Sequence, residues 1–482
     1  MSKTLWGEVR VIRTGIPGFD ELVGGLPKGE LVIIAGGPGT GKTMFSAGFL
    51  YWGAVKYGER GVYVSLAEDR GIFLKNMRKI GFDFEKLEKD GLFRFLDMLT
   101  LMEAGTSQLI ETIIEEVTSF NAQRLVIDSL SALAQGFKDS RELRVFLHSL
   151  LGRIMKVTGC TTVLIEEVPH GRGWIGYGFE EFVASAVILL ERDFIEDKFM
   201  RRMRIIKMRG AEVPNPNACF SLKNGFKVFP PLKIKKPEKP GKYQPIPDPP
   251  NAYSTGIPDL DEIIGGYPKA STILLERDPR VSIEQLRLII VPTIVNSVIH
   301  ERPAVIIPLM GLRPDDVKAI NRPYGIPFEK FCSHTRIFMR RELIEGYEAA
   351  ECFVPYERGD LEEDIKKILR TLGEFVKGFD KPLIQMIATD TVAMHHGAEG
   401  VLRIAQESLI LSKKTNGFAL WILESIFPEL IHRLSPMASM HLKLTRKHGC
   451  LLLYGVKPRT PLLAIDVDVS NGYPMPKLTP II

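Results

Sequence analysis

The chain has 482 residues, 45% apolar and 25% charged, with a formal net charge of +5 and a pI near 8.7. This length exceeds one ordinary core and predicts two to four domains, while the composition excludes a disordered or membrane-spanning class. The charge is too mild to be a nucleic-acid signature, and part of it is gathered in one segment, LKIKKPEKPGK. No run reaches the roughly 18 apolar residues of a membrane span, and MSKTLWGEVRVIRTG lacks a signal-peptide core, so a cytoplasmic protein without membrane attachment is expected. Cys160, Cys219, Cys332, Cys352 and Cys450 are scattered singly, which predicts reduced packing residues rather than disulfides or a zinc site. Asn and Gln total only seventeen beside plentiful Lys, Arg and Glu, a bias common in thermophile proteins.

In chain order, the first strong element is the apolar run Leu31 to Ala35, read as a strand. Directly after it, Gly36, Gly37, Pro38, Gly39, Thr40, Gly41, Lys42 and Thr43 fit GxxxxGK[ST] and open a predicted helix. Glycines let the backbone curl until its amides converge with the helix N-terminus on an anion. Lys42 then reaches the β- and γ-phosphates of ATP, and the Thr43 hydroxyl becomes a ligand for Mg²⁺. The strand GVYVSL ends in Ala67-Glu68-Asp69. Adjacent acids past a strand often mark an exposed turn, but these follow the strand next after the phosphate-loop helix. Glu68 is therefore read as the group that activates water, with Asp69 assisting. SQLIETIIEEVTSF places Ile110, Ile113, Ile114 and Val117 on one helical face. RLVIDS supplies Asp128 at the C-terminal end of an apolar strand, where a metal-holding carboxylate is needed. TTVLIEE and AVILLE complete a set of nearly continuous apolar strands alternating with helices, which predicts an α/β fold with a mainly parallel sheet.

Pro230 to Pro250 holds eight prolines and reads as a stiff, extended connector. Beyond it the first half returns. TGIPGFDELVGGLPKG from Thr14 reappears as TGIPDLDEIIGGYPKA from Thr255 at an offset of 241, and FVASAVILL and KMRG are echoed in order by PMASMHLKL and KPRT. A duplication explains the fixed order. At that offset Gly36, Gly39, Gly41, Lys42 and Thr43 fall on Arg277, Arg280, Ser282, Ile283 and Glu284, and at the offset of 242 that relates GERGVYVSL to HERPAVIIPL, Glu68 and Asp69 fall opposite Met310 and Gly311. The second copy is expected neither to bind nor to hydrolyse ATP in the usual way, although Asp390 in IATD is a candidate for its metal-side acid. Adjacent His395 and His396 lack a completing ligand set and read as loop residues rather than a metal site.

The repeated approach sequence, the GGPGTGKT loop, the acid pair, LVIDS, EEFVASAVILLE and KMRG together resemble the RecA-like ATPases of the KaiC type, specifically to about residue 230 and more weakly beyond. The chain is also similar, in length as well, to archaeal regulatory P-loop proteins of the gas-vesicle GvpD type. The resemblance implies two tandem RecA-like P-loop domains, 1–230 and a degenerate 253–482, joined by a linker at 231–252. It also implies a homo-oligomeric, hexameric ring with ATP at subunit interfaces, where Lys207 and Arg209 reach a neighbour's γ-phosphate. The expected function is a slow regulatory ATPase whose nucleotide state controls a protein partner in signalling or transcription. Ser435 lies near the acceptor position of autophosphorylating members, but without a phosphate loop beside it no kinase activity is expected. The alternative is a RecA-like DNA-binding ATPase of recombination or repair, for which Arg172, Trp174 and Tyr177 in PHGRGWIGYGFEE are candidate contacts; the same loop is equally a pore lining. A third reading, ATP as a passive ring-stabilising ligand, conflicts with the acid pair at Glu68 and Asp69.

Overall fold

The structure, a computed structural model, describes residues 10–98, 106–134, 144–145, 157–168, 183–235, 237–347, 350–356 and 360–482. The chain forms two compact units, one of residues 1–231 with 448–450 and 480–482, the other of residues 232–447 with 451–479.

In the first unit a short pair, β1 (Val11–Ile12) and β2 (Leu26–Pro27), precedes the main sheet. Its strands are β3 (Leu31–Gly36), β4 (Gly61–Ser65), β5 (Phe93–Asp97), β6 (Arg124–Asp128), β7 (Thr161–Glu167), β8 (Ala186–Ile195), β9 (Lys198–Met208), β10 (Asn217–Ser221) and β11 (Lys227–Phe229), in the order β11-β10-β9-β8-β3-β7-β6-β4-β5. From β8 to β5 all neighbours run parallel. These strands are the apolar runs of the sequence because both faces are covered: Val32 and Ile34 enter one core, Leu31 and Ile33 the other. The helix Lys42–Tyr57 lies on the first face and the amphipathic helix Thr106–Ser119 on the second, with Ile110, Ile113 and Val117 buried. Hence the fold is α/β, a mainly parallel sheet flanked by helices.

The second unit opens with β12 (Ala252–Tyr253) and β13 (Tyr267–Pro268). Its sheet contains β14 (Ser271–Arg277), β15 (Ala304–Ile307), β16 (Thr335–Arg340), β17 (Phe353–Tyr356), β18 (Ile384–Ala388), β19 (Phe418–Glu424), β20 (Met440–Lys447), β21 (Cys450–Lys457), β22 (Leu463–Asp468) and β23 (Met475–Pro480). The order β17-β16-β15-β18-β19-β14-β20-β21-β22-β23 reproduces that of the first unit strand for strand, with β17 added at one edge. The repeated approach sequence has the same geometry in both copies. Thr14 N–H donates to Asp20 Oδ1 at 3.0 Å, and Thr255 N–H donates to Asp261 Oδ1 at 2.7 Å. The intervening glycines, Gly15 and Gly256, are both left-handed, with φ of 76° and 78°. The motif survives in both halves because it is a structural turn, independent of nucleotide.

Three expectations need correcting here. The described residues of 232–250 carry no regular secondary structure, but they pack into the second unit rather than standing apart as a spacer. Tyr243 is buried against Tyr324 and Tyr473, and the backbone of Ile246 exchanges two hydrogen bonds with the Asn296 side chain. Cys332 and Cys352 form a disulfide instead of remaining reduced, because the helix Phe328–His334 and β17 bring together positions 20 residues apart. His395 and His396 are helical, not in a loop, and directly precede Gly397, whose φ of 66° and ψ of −168° break Thr389–Lys414 into two helices; Tyr356 Oη meets His395 Nδ1 at 2.7 Å and Asp364 Oδ2 lies 3.2 Å from His396 Nε2.

Candidate nucleotide site

The phosphate loop leaves β3 at Gly36 and enters the helix Lys42–Tyr57, whose N-cap is Gly41. Gly39 and Gly41 have φ of 69° and 103°, conformations that side-chain-bearing residues rarely adopt. A Cβ on Gly36 would stand 2.5 Å from the Leu190 carbonyl oxygen. The loop is a cradle that only this glycine spacing permits. Lys42 Nζ lies over it, donating to the carbonyls of Gly36 at 2.9 Å and Gly37 at 3.0 Å. Burial pulls its pKa down, while Glu167 and Asp128 push it back up.

Asp128 ends β6 beside the cradle. Its Oδ2 accepts from Thr43 Oγ1 at 3.1 Å and from Tyr63 Oη at 2.6 Å, and burial raises its pKa. The register pairs β4 with β6 so that Tyr63 faces Val126 and Ser65 faces Asp128, which points the phenol along the strand at the carboxylate. Tyr63 is fully buried among Phe73 and Phe95, and its pKa is driven up by burial and by Asp128. It remains a donor. Replacing Tyr63 with Phe removes a hydrogen bond to a charged acceptor and should lower stability by about 1.5–3 kcal/mol. Urea unfolding measures this, and an unchanged midpoint would mean the bond contributes nothing.

Glu68 follows β4 in a turn fixed by Ser65, whose Oγ accepts from Glu68 N–H at 3.0 Å and donates to its carbonyl at 2.6 Å. Asn76 donates to Glu68 Oε1 at 3.0 Å. Its pKa is raised, first by burial and then by Asp128 and Asp69, with the Asn76 bond opposing. Asp69 has a different place. It is exposed and caps the helix Arg70–Lys79, accepting from Ile72 N–H at 3.0 Å. Its carboxylate serves the helix, whereas that of Glu68 is partly buried and feels the charge of Asp128.

Lys207 and Arg209 do not join this chain's own loop. Lys207 pairs with Val187 and Val187 with Ile33, three residues before Gly36, so Lys207 is about 10 Å away along the strand direction at the opposite end of the sheet. A part in phosphate chemistry requires a second copy of the chain. Glu167 was missed by sequence reasoning. It ends β7 opposite Gly36 and acts electrostatically on both Lys42 and Asp128, although the run IEE read only as a strand end. Arg172, Trp174 and Tyr177 lie outside the described residues, so the DNA alternative rests on sequence alone.

In the second unit the equivalent loop is closed from within. Arg277, the counterpart of Gly36, is buried, pairs with Glu424 and donates to the Val281 carbonyl at 2.9 Å. Asp390 Oδ2 lies 4.0 Å from it. The pairing of β18 with β19 makes Ala388 the counterpart of Asp128, so Asp390 is displaced two residues into the following helix and faces Arg277. Ser282 and Gln285 form a reciprocal capping box on the helix Ile283–Ile299, occupying amides that hold phosphate in a working loop. Arg277→Met should cost about 3–5 kcal/mol by leaving Glu424 and Asp390 uncompensated. Burial already raises the Asp390 pKa, so the deficit should shrink as pH falls and the acids protonate. Chemical unfolding at two pH values checks both.

A strand-loop-helix phosphate cradle on β3, with a carboxylate ending β6 one strand further across the sheet beyond β7, is the arrangement of a RecA-type P-loop ATPase. The KaiC ATPase family model matches residues 12–233. A UPF0273 protein of Pyrococcus furiosus is 33% identical over 245 residues, which is 47% of this chain and 97% of that protein. The circadian clock oscillator protein KaiC of Prochlorococcus marinus is 34% identical over 280 residues, covering 56% of this chain and 54% of KaiC. A solved KaiC-like protein of Pyrococcus horikoshii is 39% identical and wholly covered by 46% of this chain, with a TM-score of 0.42. The chain belongs to the KaiC-type family of RecA-like P-loop ATPases, and it spans about half the length of the clock proteins it matches.

Proposed function

We propose that this protein is a regulatory ATPase in which the first unit binds and slowly hydrolyses ATP with Mg²⁺ and the nucleotide state controls a protein partner. The observation that carries this reading is the gathering of Lys42, Thr43 and Asp128 at the C-terminal ends of β3 and β6, with Glu68, just past β4, near enough to Asp128 to feel its charge. The loop amides and Lys42 would hold the triphosphate. Thr43 and Asp128, already hydrogen-bonded to each other, fit a magnesium ion, which when bound neutralises charge on the transferred phosphate. Tyr63 fixes one Asp128 oxygen, and Glu68, steadied by Asn76, would take a proton from the attacking water. The domain division is 1–230 for the ATPase and 253–482 for a degenerate copy that acts as scaffold or partner surface.

The position of Lys207 and Arg209 at the far end of the sheet supports a ring in which they complete a neighbour's site, as the resemblance implies. Native mass measurement with and without ATP tests this. A nucleotide-stabilised hexamer whose turnover falls on Lys207→Ala supports it; a monomer with full activity overturns it. The second unit's loop is occupied by the Arg277–Glu424 pair and the Ser282 cap, which favours ATPase over autokinase chemistry at Ser435.

A further inference from the structure

The second unit has a crevice of about 560 Å³ away from its closed phosphate loop. β15 lies between β16 and β18, and the chain leaves β15 toward β16 on one side but leaves β18 toward β19 on the other. Connections that diverge from adjacent parallel strands open a cleft at their C-terminal ends, the usual ligand position in such sheets. Residues 307–312 form one wall and the first turns of the helix Thr389–Lys414 the other, tied by Thr391 Oγ1 donating to the Pro308 carbonyl at 2.9 Å. In the first unit the corresponding loop after β4 carries Glu68; here it carries Leu309, Met310 and Leu312. The crevice has been relined from acid to apolar.

Of the nine large apolar side chains left exposed among the described residues of this unit, three line it: Met310, Leu343 and Met394, at 51%, 36% and 59% exposure. A concavity walled largely by apolar side chains, some of them exposed, is a candidate binding surface. The volume lies in the range of small-molecule sites. Of its charged groups, Arg340 pairs with Glu342 at 3.2 Å, while Asp364 Oδ2 lies 3.2 Å from His396 Nε2 but is buried without a hydrogen bond. An anionic ligand would lose its water beside Asp364 without gaining a counter-charge. Tyr356 and His395 supply polarity for orientation.

We propose that this crevice binds an uncharged, largely apolar small molecule, giving the degenerate copy a ligand site of its own. The test titrates the full chain with 1-N-phenylnaphthylamine, an uncharged fluorescent probe, and in parallel with its anionic relative 8-anilinonaphthalene-1-sulfonate. The uncharged probe should saturate a single site and bind more tightly than the anion. Met310→Trp and Met394→Trp, which add bulk at exposed positions, should each weaken it at least about tenfold by overpacking the cleft. Lys42→Ala should leave probe binding unchanged, so that failure of the ATPase reading is separable. Absence of saturable binding, tighter binding of the anion, or affinity unaltered by both tryptophans would overturn the proposal.

Discussion

Lys42→Ala is expected to lower ATP turnover by roughly two to three orders of magnitude, the loss typical when one preorganised charge-stabilising donor is removed. The ammonium group is buried over the cradle and reaches only the Gly36 and Gly37 carbonyls, so no other described hydrogen bond depends on it. Loop and helix should keep their shape, because Gly36, Gly39 and Gly41 set the backbone. The same variant also tests the second copy. With Arg277 paired to Glu424 and the helix start capped by Ser282, fluorescent ATP should find no site elsewhere in the chain. Turnover at the original rate in Lys42→Ala would sink the assignment.

Glu68→Gln should leave ATP binding intact and slow single-turnover hydrolysis by about 10²–10⁴, the usual contribution of a positioned general base. Burial and neighbouring acids hold the Glu68 pKa above the ordinary carboxylate range. The active form is the deprotonated one, so activity should fall as pH drops through that raised value, and the acid limb should vanish in the Gln variant. Asp69→Ala separates the two acids. It should cost about 1 kcal/mol of stability through the lost helix cap and leave the chemical step little changed. Equal slowing by both variants would restore Asp69 to the reaction.

The phosphate loop was legible because its signal is local: a run of eight residues sets both the backbone curl and the chemistry. The strands β3, β4, β6, β7 and β8 were legible because a sheet covered on both faces needs continuous apolar runs. Asp128 and Glu68 were singled out as candidates by their place at strand ends, and the duplication by constant offset. Neighbours across the sheet were not readable. Tyr63 meets Asp128 from 65 positions away, and Glu167 lies opposite Gly36, through strand register alone.

The amino-acid sequence by itself determined that one half holds a phosphate cradle and the other does not, since glycine, lysine and threonine at fixed spacing either occur or fail to. Only the tertiary structure decided what replaced the lost cradle and where the remaining groups act. Register put Arg277 between Glu424 and Asp390, sent Lys207 to the far end of its sheet, made Asp69 a cap, and opened an apolar crevice between β15 and β18. The physical reason is range: loop conformation depends on adjacent residues, whereas ion pairs and clefts depend on strands that meet only after the whole sheet has assembled.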